Sequence, residues 1–174
     1  MNKFIVITVL LFSMYSSKNN NKIESAIDYK GIIIENAEYT MQIDIEKAEN
    51  NLANLIVKME LKNGSHFISP NYKGNASGKF HMDLGDYTAI DFNGNIKEFP
   101  KSKLVSGPEG FGNHKANWVT TNTSYTQAIN IKSKEDFEVF GRVKFVIEPK
   151  CTLEVTTFGI VSKNGILTIT SPKC

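Results

Sequence analysis

The chain has 174 residues, with 20 Lys and Arg against 18 Asp and Glu, and a formal charge of +2 excludes a strong electrostatic footprint for nucleic acid. Two cysteines exclude a disulfide-dense scaffold, a four-cysteine zinc site and a thiolate-ligated iron–sulfur cluster. Hydrophobic residues at 41% and charged residues at 22% are ordinary globular usage, and the length suits one domain.

The amino terminus has the order of a secretory signal over residues 1–17: basic Met1-Asn2-Lys3, the apolar run Phe4 to Phe12, then Ser13-Met14-Tyr15-Ser16-Ser17. As a helix this nine-residue run, apolar apart from Thr8, reaches about 14 Å, roughly half a bilayer core, so a signal is expected rather than a permanent span. The rival is an uncleaved signal anchor. Lys18 stands where a lipoprotein signal would need its cysteine. The leader predicts an exported chain, periplasmic or extracellular. The 19 lysines against the single Arg142, with abundant Asn and Ile, have the bias of an AT-rich bacterial coding sequence. A polar segment over residues 18–36 is expected before a domain spanning 37–174.

Within that domain period-two alternation recurs. Tyr39, Met41, Ile43 and Ile45 alternate with polar neighbours, as do Leu55, Val57, Met59 and Leu61. Between them, Ile45, Ala48, Leu52 and Leu55 have helical spacing, but Asn50-Asn51 and Asn54 make a polar bend between two strands an equal alternative. Asn63-Gly64 marks a turn, and His66 ends a strand beside Phe67. Phe80, Met82 and Leu84 form a further run. Asn93-Gly94 predicts a hairpin joining Ile90–Phe92 to Ile96–Phe99; Asp91-Phe92-Asn93-Gly94-Asn95 superficially opens a calcium loop, but Ile96 and Ser102 replace the required Gly and Glu. Lys97, Lys101, Lys103 and Lys115, interleaved with Glu98 and Glu109, read as a solvated loop face.

Gly107 to Gly112 lacks the Lys-Ser/Thr of a phosphate loop and reads as a loop. Trp118 is the single tryptophan, expected in the core, with a surface anchor as the alternative. Val143, Phe145 and Ile147, then Val155 to Val161, then Ile166 to Thr170 complete the strands, the last two joined by a hairpin at Asn164-Gly165. Pro70, Pro100, Pro108, Pro149 and Pro172 fall at the ends of runs, where a missing N–H costs little. Eight to ten hairpin-joined strands predict an all-β fold, an immunoglobulin-like antiparallel β-sandwich, with a closed barrel second.

Cys151 and Cys174 are the candidate disulfide or redox residues. With Asn164-Gly165 at the turn, Cys174 falls opposite Val155, about four residues short of Cys151, so a bond requires one end to fold back. A structural disulfide, two unpaired thiols, and a working thiol at Cys151 with Lys150 favouring thiolate all remain open. His66, His81 and His114 have no ligand spacing, no metal site or cofactor is implied, and no nucleophile signature is present.

A larger pattern runs from about Leu55 to Ile169. Asn63-Gly64-Ser65-His66-Phe67-Ile68-Ser69-Pro70 follows a strand, and Glu98-Phe99-Pro100 closes another before a Gly/Pro loop. Then come the aromatic-rich segment Tyr125 to Ile131 and the run Gly141-Arg142-Val143-Lys144-Phe145-Val146-Ile147-Glu148-Pro149-Lys150-Cys151. In this order the landmarks resemble the amino-terminal domain of the DsbD family of thiol:disulfide interchange proteins. The resemblance implies an immunoglobulin-like sandwich and electron relay across the periplasm through two close cysteines. Cys151 matches the first, while Thr156, Thr157 and Phe158 occupy the region of the second. Two functions follow. The first is an exported, non-catalytic immunoglobulin-like module that binds a periplasmic or envelope protein. The second, which the resemblance implies, is a thiol–disulfide redox partner using Cys151 and Cys174. Neither involves nucleic acid or a membrane span beyond the leader.

Overall fold

The computed structural model describes residues 31–107 and 115–172. The signal reading at residues 1–17, most of the Gly107 to Gly112 loop, His114 and Cys174 therefore lie outside the described residues. Twelve strands are described: β1 (Ile32–Glu35), β2 (Tyr39–Lys47), β3 (Leu52–Leu61), β4 (Phe67–Ile68), β5 (His81–Leu84) and β6 (Ile90–Phe99), then β7 (Leu104–Ser106), β8 (Lys115–Val119), β9 (Thr123–Ile131), β10 (Phe137–Ile147), β11 (Thr152–Lys163) and β12 (Ile166–Thr170). All pairings are antiparallel.

Alternation decides which side chains meet. On β2 and β3 the buried set Tyr39, Met41, Ile43, Leu55, Val57 and Met59 points to one side, because residues two apart share a face. Registers such as Met41↔Met59 and Val57↔Tyr125 extend that face across a sheet of order β1-β2-β3-β9-β6. A second sheet, β12-β11-β10-β5, turns Val143, Phe145, Phe158, Ile160 and Met82 toward it. The two apolar faces form one core, with Tyr39 edge-on to Phe145 at 5.3 Å. The expected immunoglobulin-like β-sandwich is the observed fold. The closed-barrel alternative fails because the sheets end in separate edges, β1 and β6 in one and β12 and β5 in the other. Within the second sheet Gly141 makes room for its cross-strand partner: a Cβ there would stand 2.5 Å from the Phe158 ring and 3.0 Å from the Asp83 carbonyl oxygen.

Three expectations are corrected. The segment 18–36 does not end outside the fold, since Ile32 and Ile34 on β1 pair with β2 and pack against the core. The helical alternative for Ile45 to Leu55 gives way to the bend: Asn50 and Asn51 both take positive φ (57° and 60°), reversing the chain between β2 and β3. Asn can adopt this region because its short amide competes well for local hydrogen bonds. Asn93-Gly94 does not make a hairpin. Both halves of β6 pair with the same neighbour β9, with the register shifting between Asn93 and Lys97, so the positive φ of Gly94 (68°) serves a bulge. Gln127, buried on β9, secures it by donating to the carbonyls of Asn93 (3.1 Å) and Gly94 (3.3 Å). By contrast, Asn164-Gly165 joins β11 to β12 as a two-residue hairpin with φ of 50° and 73°.

Three further strands, in the order β4-β8-β7, lie over one end of the sandwich. Phe67 and Val119, paired in register, face the core. Phe80 ties this small sheet down. Its N–H donates to the Ile68 carbonyl at 2.7 Å, and its ring stacks on Tyr125 at 4.1 Å and lies 5.7 Å from Phe67. Phe80→Ala is expected to cost about 3–5 kcal/mol in urea unfolding followed by far-ultraviolet circular dichroism, because it empties a fully buried aromatic position.

Candidate functional site

The small sheet has a core side and an outer side, and its outer side builds the site. Ile68 pairs with Trp118, and Val105 with Ala116, so alternation puts Ile68, Trp118, Ala116 and Val105 on the face opposite Phe67 and Val119. Trp118 is buried as expected, but in this outer row and not in the sandwich core. Its indole lies edge-on to His66, centroids 5.3 Å apart at 72°. A cleft flanks it on each side. One, of about 280 Å³, lies between Trp118 and Lys101, Lys103, Val105 and Thr121. The other, two adjoining hollows of about 320 and 300 Å³, lies between Trp118 and the loop carrying Tyr72, Asn75 and Ala76, with Glu148 in its wall.

One carboxylate positions the loops around the first cleft. Glu98, half-buried near the end of β6, accepts through Oε2 from Asn71 Nδ2 (2.9 Å), the Ser102 N–H (3.1 Å) and the Ser102 hydroxyl (2.9 Å). Its Oε1 accepts from the Tyr125 hydroxyl at 3.1 Å. Burial, then the neighbouring Glu98 charge, raises the Tyr125 phenol above its ordinary range, so it remains a donor. Asn117 Nδ2 donates to the Ser102 carbonyl at 3.2 Å, joining the same loop to β8.

Beside this network the surface is apolar and basic. Phe99 is 79% exposed, Leu104 58% and Val105 47%. β7 is an edge strand, and all three of its residues are exposed. Lys101 and Lys103 are exposed at its start, and Lys115 lies opposite Ser106. Sequence reasoning missed this edge, taking the stretch as loop. The available signal was the apolar pair Leu104-Val105 directly after Lys101-Ser102-Lys103.

At the other end of the Trp118 row lies Cys151. His66 and Glu148 exchange backbone hydrogen bonds (His66 N–H to Glu148 O 3.0 Å, Glu148 N–H to His66 O 2.9 Å), bringing the segments around Gly64 and Cys151 together. Cys151 is exposed, with a positive φ of 52°. Its thiol donates to Glu148 Oε2 at 2.9 Å and its N–H donates to the same oxygen at 3.2 Å. That hydrogen bond, with desolvation and then the carboxylate's charge, holds the thiol above its ordinary range. Lys150, expected to favour thiolate, instead pairs with Glu38 at 3.3 Å. The charged group that touches the thiol is the Glu148 carboxylate. Whether Cys151 meets Cys174 falls outside the described residues. Of the other histidines, His81 stands exposed on β5, 4.0 Å from Asp83.

No family model matches the chain, and no curated protein matches it. Among solved structures the chain is similar to the GAE domain of GGA2p from Saccharomyces cerevisiae, at 12% identity over 77% of this chain and 98% of that chain, with a TM-score of 0.41. At that score the likeness carries no argument. The sandwich stands on the strand pairing and packing described above.

Two measurements check the site's chemistry. Glu98→Ala removes the acceptor of four hydrogen bonds and is expected to cost about 2–3 kcal/mol in urea unfolding. Glu148→Gln removes the charge that disfavours thiolate, so the Cys151 pKa falls toward its ordinary value. Iodoacetamide alkylation of Cys151, followed by mass spectrometry across pH 7 to 9, is then expected to accelerate relative to the unsubstituted chain.

Proposed function

We propose that the chain is an exported, non-catalytic β-sandwich module that binds a protein partner at the end covered by β4, β8 and β7. The observation that carries this reading is the exposure of Phe99, Leu104 and Val105 together, beside an edge strand whose outer side has no partner strand among the described residues. Large apolar side chains grouped at an open edge leave both buried-area and backbone hydrogen-bonding capacity unused, and a partner can use both. Export is supported by the order of the leader, basic tip then apolar run then small residues.

The redox reading, in the manner of the DsbD amino-terminal domain, is second. It draws support from the proximity of the Gly64–Ile68 and Glu148–Cys151 segments, two of the landmarks of that resemblance. Against it stands the Glu148 carboxylate, which disfavours the thiolate that disulfide exchange needs.

Photo-crosslinking in the cells that make the protein tests the favoured reading. A photoreactive residue at position 104 is expected to give a discrete crosslinked band. The same residue at position 153, where Leu153 is equally exposed but lies on β11, is expected to give none. No band from position 104, or equal bands from both positions, would overturn the reading.

A further inference from the structure

We infer that the open edge of β7 takes an extended, acidic segment of its partner as an added strand. This rests on the proposed partner-binding reading and names the chemistry of what binds.

The backbone argument comes first. Leu104, Val105 and Ser106 pair on one side with Asn117, Ala116 and Lys115. Among the described residues no strand pairs with the other side. In an antiparallel strand the N–H and C=O groups of successive residues point alternately to the two sides, so the outward groups are set to template a further strand. The side chains that such a strand would meet are the apolar Leu104 and Val105, with Phe99 close by in sequence at the end of β6.

Charge selects the partner. Lys97, Lys101, Lys103 and Lys115 lie on β6, in the 101–103 loop and at the start of β8, and none makes an ion pair among the described residues. Lys62, Lys132, Lys144 and Lys150 elsewhere each hold a carboxylate within 3.3 Å. The acid nearest in sequence to this group, Glu98, keeps its charge but forms no ion pair with them. Both its oxygens are engaged by Tyr125, Asn71 and Ser102. Of the four, Lys101 and Lys103 line one cleft with Val105 and make the apolar edge basic, whereas Lys97 lies beside Asn93, Gly94 and Thr126 and Lys115 lines the cleft that holds Glu148. Glu148 is the acid in the neighbouring cleft, on the other side of Trp118, and it accepts from Cys151. Glu or Asp at alternate positions of an added strand would answer Lys101 and Lys103 on the face that carries Val105, while the apolar residues between them meet Leu104 on the opposite face. A second copy of this chain pairing edge to edge would set the same lysines against each other, which disfavours that occupant.

The test uses the full chain and fluorescein-labelled synthetic peptides, read by fluorescence anisotropy at low and high salt. One peptide alternates Glu and Val, a second alternates Lys and Val, and a third is the Glu–Val peptide N-methylated at alternate residues. The Glu–Val peptide is expected to bind at least about tenfold tighter than either control, and to weaken as salt rises. The double variant Lys101→Glu, Lys103→Glu is expected to weaken it at least about tenfold while leaving the circular dichroism spectrum unchanged, since both side chains are exposed. Equal binding of the acidic and basic peptides, undiminished binding by the N-methylated peptide, or full retention by the double variant would each overturn the inference. A dimer in sedimentation velocity that Val105→Asp dissolves would overturn it in favour of a second copy. If the position-104 crosslink persists while the peptides show no preference, the acidic-strand inference falls and the partner reading stands. If that crosslink is also absent, both fall.

Discussion

Tyr125 joins the interior of the sandwich to its candidate binding end. Its ring is fully buried, stacked on Phe80 at 4.1 Å and 6.3 Å from Phe67, so the small sheet and the main core share one aromatic cluster. Its hydroxyl leaves that cluster to donate to Glu98, and the other oxygen of Glu98 gathers Asn71 and Ser102. A half-buried carboxylate is costly unless its lone pairs are satisfied, and here four donors satisfy it. The loops on either side of β4 and β7 are consequently held by the same group that anchors the core. The surface presented by Lys101, Lys103 and Val105 inherits its position from that chain of contacts.

The same architecture explains why one end of the molecule carries unused surface. A two-layer sandwich buries its inner faces completely, as the zero or near-zero exposure of Met41, Val57, Phe145 and Ile160 records. The added sheet can bury only one of its own faces against that core. Phe67 and Val119 take the inner side, and the outer row from Ile68 through Trp118 to Val105 is left to the short loops. Those loops cover the Trp118 ring but not Leu104 or Val105. Elsewhere exposed apolar side chains such as Leu153 and Val155 lie on β11, a strand set between β10 and β12, and ion pairs such as Asp83 with Arg142 and Lys144 occupy the same sheet. At β7 exposed apolar side chains coincide with an open strand edge, and that combination is the feature that a binding function would use.

Cys151 belongs to a different physical regime. Its backbone takes a positive φ, a conformation that costs a non-glycine residue free energy, and two hydrogen bonds to one Glu148 oxygen hold it there. The carboxylate that stabilises the turn also suppresses the thiolate. A group placed for turn geometry thus opposes the reactivity that the resemblance to a redox domain would require, and this favours the module reading over the exchange reading.

The sandwich was legible because strand periodicity is a local property. Tyr39 to Ile45, Leu55 to Leu61 and Val143 to Ile147 alternate in the sequence as they do in the sheets, and Asn164-Gly165 carries the positive φ of its turn in its own composition. Asn93-Gly94 has the same composition but became a bulge, because both flanking runs pair with β9, a strand some thirty residues further along the chain. The candidate site was hidden for the same reason. Leu104-Val105 is too short to show a period, and only its pairing with β8 makes it an edge. The lysines, interleaved with Glu98 and Glu109, read as a solvated loop face, and only tertiary contacts set Lys101 and Lys103 in one cleft with Val105 and turn the Glu98 carboxylate toward Tyr125, Asn71 and Ser102. By itself the sequence determined the layers, since side-chain alternation needs only neighbours. Which edge stays open and which charges stay unpaired was decided by the tertiary structure, because both depend on partners distant along the chain.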